Sequence, residues 1–523
     1  MPRIDVQSND GQSNQVLTRL MEPTSATRGD AGARPSDGSI RHLRRSLRSL
    51  AGAALLILGT EALGASADPI ELPVLGDASS SLISPQLERE IGRDFLKQIN
   101  ASLPTVRDPL LKYYTDRHMS RLAQHSQLKD KLLSTTLIDS DQINAFAAPG
   151  GVVGVNLGLM LYAEDVHEYS GVLAHELAHL SQRHFARGVE EQRQQALPNL
   201  AAMLAAIAIG AMGGGEAGIA ALSSSQAAAQ SNALRYSRTR EQEADRVGLN
   251  TLVAAGMDPH AMGRMFERMQ RAYRFSRKPP EFLLTHPLSD TRVADARAQA
   301  ARYPKIAYAD ALDYQMMKVR AELHYTPSPA AGVQRFRKAV KDNPDNEVAN
   351  YGLALALSRA GEHKEALILG DTFYTAHPDS LLHVGSYAQL LTDAGELDQA
   401  LRLLSHQLVL NPDNAPMSML YATALAKAGE HQQAQAVLTR QSRLRPNDVD
   451  VWYDLAETAG LAGDIVAVHR ARAEFFALHG SYQKAIQHLQ YARRLVNRTD
   501  DELLSELDQK IIDLRTALRE LRS

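Results

Sequence analysis

The sequence predicts an α+β domain, with helices around a small antiparallel sheet, followed by an all-α solenoid of helical pairs. Three observations carry this prediction. Short extended runs cluster between residues 133 and 155 around Pro149-Gly150-Gly151. A long, largely apolar helical stretch, Val166 to His184, follows them directly. From about residue 310 the chain reads as helix throughout, and small residues recur with a period of 34.

The first 67 residues read as a leader. Residues 1–40 are rich in Ser, Gly, Asp, Asn and Gln, a composition that buries too little apolar surface to fold. Arg41, Arg44, Arg45 and Arg48 precede a short apolar run, Leu50 to Gly59, and a small-residue site, Ala65-Ser66-Ala67. Basic, apolar and small-residue segments in that order make a cleavable secretory signal. The apolar run is about half of the ~20 residues a membrane span requires. No stable transmembrane span is therefore expected after cleavage, and a peripheral membrane contact stays open. Met21 is an alternative start.

Past the leader, Leu87, Ile91, Phe95 and Ile99 recur every fourth residue and mark one face of a helix. Thr136 to Ile138, Ile143 to Phe146 and Val152 to Val155 are expected strands, the last two joined by the Pro-Gly-Gly turn. Residues 196–222 are rich in Ala, Ile and Met and broken by Gly213-Gly214-Gly215. They are expected to form a buried helical pair; the alternative is a mobile hairpin over the functional site or against a membrane. The expected boundaries are 1–67 for leader and signal, 68–310 for the α+β domain and 311–523 for the solenoid.

In the solenoid, Pro344, Pro378, Pro412 and Pro446 are spaced by 34 residues, as are Gly361, Gly395, Gly429 and Gly463. Ala354, Ala388, Ala422 and Ala456 keep the same register, as do Ala366, Ala400 and Ala434. Small residues let paired helices approach, Gly ends the first helix in a left-handed cap, and Pro stops the second. This pattern resembles the tetratricopeptide repeat. Gly480 and Ala485 keep the Gly-to-Ala offset but fall half a period late, so a shortened or shared-helix unit is expected there.

Bulk properties narrow the function. A net charge of -3 gives no electrostatic reason to bind nucleic acid. With no cysteine, disulfides and thiolate metal sites are excluded, so a zinc ion would be held by His and carboxylates. The run His175-Glu176-Leu177-Ala178-His179 supplies the first candidates. On a helix, residues i and i+4 share a face, so His175 and His179 can reach one ion. Glu176 projects beside them, placed to take a proton from a water that the ion acidifies. That is the chemistry of a zinc-dependent endopeptidase.

A third ligand is needed. The class that takes a third His six residues after the second, beyond a Gly, is excluded because Gln182 and Phe185 stand there. His184 is one residue out of phase and reads as a surface residue or a support for a ligand. The better candidate is in Glu241-Gln242-Glu243-Ala244-Asp245, where Glu241 and Asp245 share a helix face. Glu241 would complete a two-His, one-Glu site with an open fourth position. Asp245 would hydrogen-bond a ligand imidazole or donate a proton to the departing amine. Glu243 is the rival ligand but points away from that face.

These runs, with Asn144-Ala-Phe-Ala-Ala-Pro-Gly-Gly151, His184 after Ser181-Gln182-Arg183, and Thr285-His286-Pro287-Leu288, resemble the M48 family of metallopeptidases. The resemblance implies a zincin-like α+β metalloprotease domain and one Zn2+ per chain. It implies ligands His175, His179 and Glu241, with Glu176 as general base and Asp245 as proton donor or orienting carboxylate. With a signal in front and tetratricopeptide repeats behind, the chain is similar to M48 members of the Gram-negative periplasm. These degrade unfolded or stalled outer-membrane β-barrel proteins, or aid their assembly alongside the assembly machinery. His286, held extended by Pro287, would stabilise an oxyanion or occupy the open zinc position; Arg292 would assist. The strand around Ile143 to Phe146 could pair with a substrate peptide. Two functional classes follow: a protease, or a chaperone and adaptor with a latent metal site.

Overall fold

The computed structural model describes residues 83–131, 133–191, 238–274, 280–308 and 311–521. The expected leader and signal, and the helical pair expected at 196–222, lie outside the described residues. Helix α1 (Pro85–Ser102) starts at Ser84, whose side chain accepts the Leu87 N–H, and buries the expected stripe of Ile91, Phe95 and Ile99. Helix α2 (Pro109–His125) starts at Asp108, whose carboxylate accepts the N–H groups of Leu110 and Leu111. Both helices carry Pro in the first turn, where its missing N–H costs nothing.

Strands β1 (Ser134–Ile138), β2 (Ala145–Ala148) and β3 (Val152–Asn156) form one sheet in the order β1-β3-β2. β2 and β3 pair antiparallel through the Pro149–Gly151 turn, whereas β1 and β3 pair parallel. The sheet is therefore mixed, where the sequence suggested an antiparallel one. The physical reason is the order: the chain passes from β1 to the far edge before the tight turn returns β3 into the middle. Every residue of β2 and β3 is buried, so these strands read as unbroken apolar runs without alternation. Gly154 lets the Phe146 ring lie across β3, since a Cβ there would sit 2.2 Å from that ring.

Helices α3 (Leu157–Tyr162), α4 (Val166–Ser181), α5 (His184–Glu191), α6 (Arg238–Ala254), α7 (Ala261–Arg274), α8 (Glu281–Thr285) and α9 (Asp290–Ala300) complete this unit. Asp165 caps α4 by accepting the Glu168 N–H. α4 is buried from Val166 to His179 and packs on α2, α6, α7 and β2. Its approach to α6 is close because Gly248 faces the Ala174 carbonyl; a Cβ there would come within 3.1 Å of it.

The remainder is helical: α10 (Leu312–Tyr325), α11 (Pro329–Asp342), then pairs α12 (Glu347–Arg359) and α13 (His363–Ala376), α14 (Leu381–Asp393) and α15 (Leu397–Leu410), α16 (Ala415–Lys427) and α17 (His431–Leu444), and α18 (Val449–Leu461) and α19 (Ile465–Leu478). Helices α20 (Tyr482–Leu495) and α21 (Asp501–Glu520) end the chain of described elements. Gly361, Gly395, Gly429 and Gly463 have φ between 79° and 83°, the left-handed cap the repeat requires. The repeated alanines are buried at the crossings. α19 packs against both α18 and α20, which is the expected shared helix. The pair α10 and α11 continues the register at the front but has Pro327 at the Gly position, so it carries no cap signal.

The two units share one apolar core that runs from Val106 to Ala424. Tyr314 of α10 is fully buried and its hydroxyl donates to the Met160 and Ala163 carbonyls, both at 3.2 Å. α2 packs on α10, α14 and α16, the face formed by the first helix of each pair. Arg320 stands 34 residues before Ala354. It is buried and donates to Asp108 at 2.6 Å, Tyr351 at 2.8 Å and Gln389 at 2.7 Å. It ties the start of α2 to the solenoid. Among the described residues no helix is long and apolar enough to cross a membrane.

Candidate metal centre

Three elements bring the candidate residues together. α4 presents His175, Glu176 and His179 on its α6-facing side, α6 presents Glu241 and Asp245 from its first two turns, and the end of α8 presents His286. All six are at most 4% exposed. His175 Nε2 and His179 Nε2 face each other at 3.0 Å. Glu241 oxygens lie 3.5 Å from each of these nitrogens. His286 Nδ1 is 3.4 Å from His175 Nε2 and 3.2 Å from Glu241 Oε1. A tetrahedral site with zinc–nitrogen bonds of about 2.0–2.1 Å separates its ligand atoms by about 3.3–3.4 Å. The four donors meet that spacing, and together they could hold one cation.

The chemistry of the donor set fits as well. As protein groups alone, the cluster carries an added proton: His175 is pushed up to about 9, because the facing Asp245 and Glu241 outweigh the burial that opposes its charge. Burial, with the neighbouring imidazole, pushes His179 well down. Burial disfavours the Glu241 charge too, but His286 and the other imidazoles hold its carboxyl well below the usual range. A cation among these atoms replaces that proton.

Behind the donors stand the groups that aim them. Asp245 Oδ1 is 2.9 Å from His175 Nδ1, on the side of the ring away from the cluster. Arg292 holds both Asp245 oxygens at 2.7 Å, Glu241 Oε2 at 2.8 Å and the Pro287 carbonyl at 2.9 Å. With its oxygens engaged in this way and its carboxyl held low despite burial, Asp245 has no proton to give at neutral pH. Of the two roles read from the sequence, the geometry favours the orienting one.

His179 has its own support. Its Nδ1 lies 2.8 Å from Nδ1 of His184, whose Nε2 lies 3.2 Å from Glu243. Glu243 can only accept, so it takes the Nε2–H of His184. His184 Nδ1 then accepts from His179 Nδ1–H, which leaves a bare lone pair on His179 Nε2 facing the cluster. His184 is thus fully buried, not on the surface, and Glu243, the rival ligand, faces outward to His184 and Arg187. Of the two readings of His184 from the sequence, the packing favours support of a ligand; the Glu243 partner beyond it was not legible there.

Glu176 Oε1 lies 3.5 Å from His286 Nε2. Burial pushes its carboxyl up, while the Ala147 backbone N–H of β2 favours the charged form. His286 is fixed by its own N–H, which donates to the Phe282 carbonyl at 2.8 Å, and by its ring, which stacks on Phe282 at 4.7 Å.

Known proteins resemble this chain over both of its units. The family model for peptidase family M48 matches residues 109–300, and a tetratricopeptide repeat model matches 385–464. A Vibrio cholerae protein named as a candidate beta-barrel assembly-enhancing protease is 35% identical over 432 residues, 82% of this chain and 89% of that one. The beta-barrel assembly-enhancing protease of Escherichia coli K12 is 33% identical over 333 residues, 62% of this chain and 67% of that one. The mitochondrial metalloendopeptidase OMA1 of Schizosaccharomyces pombe is 28% identical over 216 residues, 40% and 60% of the two chains. A solved tetratricopeptide protein of Thermus thermophilus is 21% identical, covering 38% of this chain and 97% of that one at a TM-score of 0.25. The helix pair, the donor set and these relatives define a metalloendopeptidase. The chain belongs to peptidase family M48, here joined to tetratricopeptide repeats.

Proposed function

We propose that this chain is a periplasmic zinc endopeptidase that degrades misfolded or stalled outer-membrane β-barrel proteins and aids the assembly of others. It would hold one Zn2+ at this centre through His175, His179 and Glu241. The observation that carries the proposal is the convergence of those donor atoms at 3.0–3.5 Å with the buried Glu176 beside them. The order of basic, apolar and small-residue segments at 41–67 supports export, and the names of the Vibrio cholerae and Escherichia coli relatives support the client class. The working units are a leader at 1–67, a peptidase unit at 68–310 and a repeat unit at 311–523.

When bound, zinc supplies Lewis acidity toward a scissile carbonyl and lowers the pKa of an attacking water. The protein groups do the rest. Glu176, whose carboxyl burial pushes up from the usual range, accepts the water proton and passes it to the departing amine. Asp245 and Arg292 are positioning residues for His175 and Glu241. β2 is an edge strand whose Ala147 amide faces Glu176, so an extended client segment laid along that edge brings its peptide bonds to the base.

Replacing the base tests this. Glu176→Gln should cut casein cleavage by about 10²–10⁴-fold while client binding persists. Loss of binding together with cleavage would overturn the assignment. His175→Ala or His179→Ala should each remove one equivalent of zinc.

A second reading has one observation in its favour. His286 Nδ1 lies at the fourth corner of the donor set and His286 is 1% exposed, where it competes with water for that position. A chain that acts mainly as chaperone or adaptor would keep His286 there.

A further inference from the structure

We infer a second metal site in the solenoid, formed by Glu347, His377 and His383, for one borderline divalent cation of the zinc type. It goes beyond the peptidase reading and shares no residue with the centre described above.

The site sits where the α12–α13 pair meets the α14–α15 pair. Glu347 opens α12, His377 follows the last residue of α13, and His383 lies in the first turn of α14. One donor atom from each falls within 4.8 Å of the others. His377 Nε2 is 2.5 Å and His383 Nε2 3.7 Å from the same Glu347 oxygen, and the two rings are 4.4 Å apart. A cation between them needs the first distance to open and the second to close slightly.

The independent sign is His383. The residue is 1% exposed, yet its Nε2, which points toward Glu347 and His377, has no hydrogen-bond partner among the described residues. Its Nδ1 lies 2.8 Å from Ser380 Oγ. Ser380 occupies the cap position of α14 but does not cap it, whereas Asn346, Asn414 and Asp448 do cap the matching helices. The Ser380 hydroxyl is instead turned to the imidazole. Accepting the Nδ1–H there leaves the lone pair on Nε2, the arrangement of a ligating histidine. Burial keeps the ring neutral, at about 4.

The repeat register sharpens the contrast. At the place of His383 the pairs that begin with α12, α16 and α18 carry Ala349, Met417 and Val451, all buried apolar residues. At the place of His377 stand Asn343, Asn411 and Arg445, and at that of Glu347, Leu381, Ala415 and Val449. A surface pair of His377 with Glu347 would not require an imidazole in the core beneath it. Two imidazoles and one carboxylate suit zinc, cobalt, nickel or copper, and not calcium or magnesium, which take oxygen cages. Glu347 and His377 are over a third exposed, so water can complete the coordination. Such an ion would clamp the turn between α13 and α14 onto the start of α12.

The test uses the full chain stripped with chelator and reloaded with Zn2+. His383→Met, which installs the residue of a sibling repeat, and Glu347→Gln should each bind one equivalent fewer than the unchanged protein. Both should keep casein cleavage. Zn2+ should raise the melting temperature of the repeats less in the variants than in the unchanged protein. Co2+ loading should show one visible absorption band set fewer. If His383→Met folds poorly, His377→Ala at the exposed side gives the same reading. Equal zinc stoichiometry and an equal melting shift in variant and unchanged protein would overturn the second site, whatever the state of the first.

Discussion

Arg292 shows what a single side chain does here. It is 3% exposed and satisfies both oxygens of Asp245, one of Glu241 and the Pro287 carbonyl. Removing one partner of such a buried network leaves carboxylates without a counter-charge, at a cost of about 3–5 kcal/mol. Arg292→Met should lower the melting temperature and weaken zinc retention by about 10–100-fold, the usual effect of losing a group that orients a ligand. Chelator competition reads this directly; unchanged retention would remove Arg292 from the site. His286 makes a different prediction. Because Nδ1 lies with the donors and Nε2 against Glu176, His286→Ala should open the centre and raise casein turnover severalfold with zinc content unchanged. A fall in turnover would instead favour the oxyanion role. Legibility also divides at this scale. His175, Glu176 and His179 were readable because one helix turn joins them. The Asp245–Arg292 and His184–Glu243 pairs were not, because only the tertiary packing of α4, α5, α6 and α9 brings them together.

Among the elements, α2 carries a testable buried base. His118 is 7% exposed, lies 2.8 Å from the Ser170 hydroxyl, and stacks on Tyr114. Burial, reinforced by Arg121, lowers its pKa from 6.5 to about 4. A base held below its unfolded value contributes stability that is complete above pH 6.5 and is lost as pH falls toward 4. The loss amounts to at most about 3 kcal/mol. His118→Gln should therefore melt with a shallower dependence on pH between 6.5 and 4.5 than the unchanged protein, both loaded with zinc. Parallel curves would show that His118 titrates normally. The sheet illustrates what elements disclose in advance. Turn chemistry at Pro149–Gly151 located β2 and β3 to within a residue or two, but the parallel pairing of β1 depends on a non-local register that no short run of residues encodes.

At the scale of the whole molecule, the composition shift near residue 310 suggested two successive units. The structure joins them. Tyr314, Met316, Met317, Val319 and Leu323 of α10 are buried in the shared core, and Arg320 grips Asp108. A chain ending at 310 should thus fail to give a cooperative melt or a stable metal-loaded peptidase; calorimetry that found a sharp transition would refute this. The repeat period was plain in the sequence because Gly, Ala and Pro mark it. The docking of the solenoid onto α2 was not, since it rests on a buried arginine at a position where the later pairs carry Ala.

That docking also bears on how clients are met. In solenoids of this kind the inner curve is the usual binding surface. Here α2 of the same chain lies against the first helices α10, α14 and α16, at an effective concentration of the order of millimolar or above. A free peptide competing for that face would meet an intramolecular rival it cannot dilute away. The face of α10, α14 and α16 that α2 covers is thereby committed to holding the two units together.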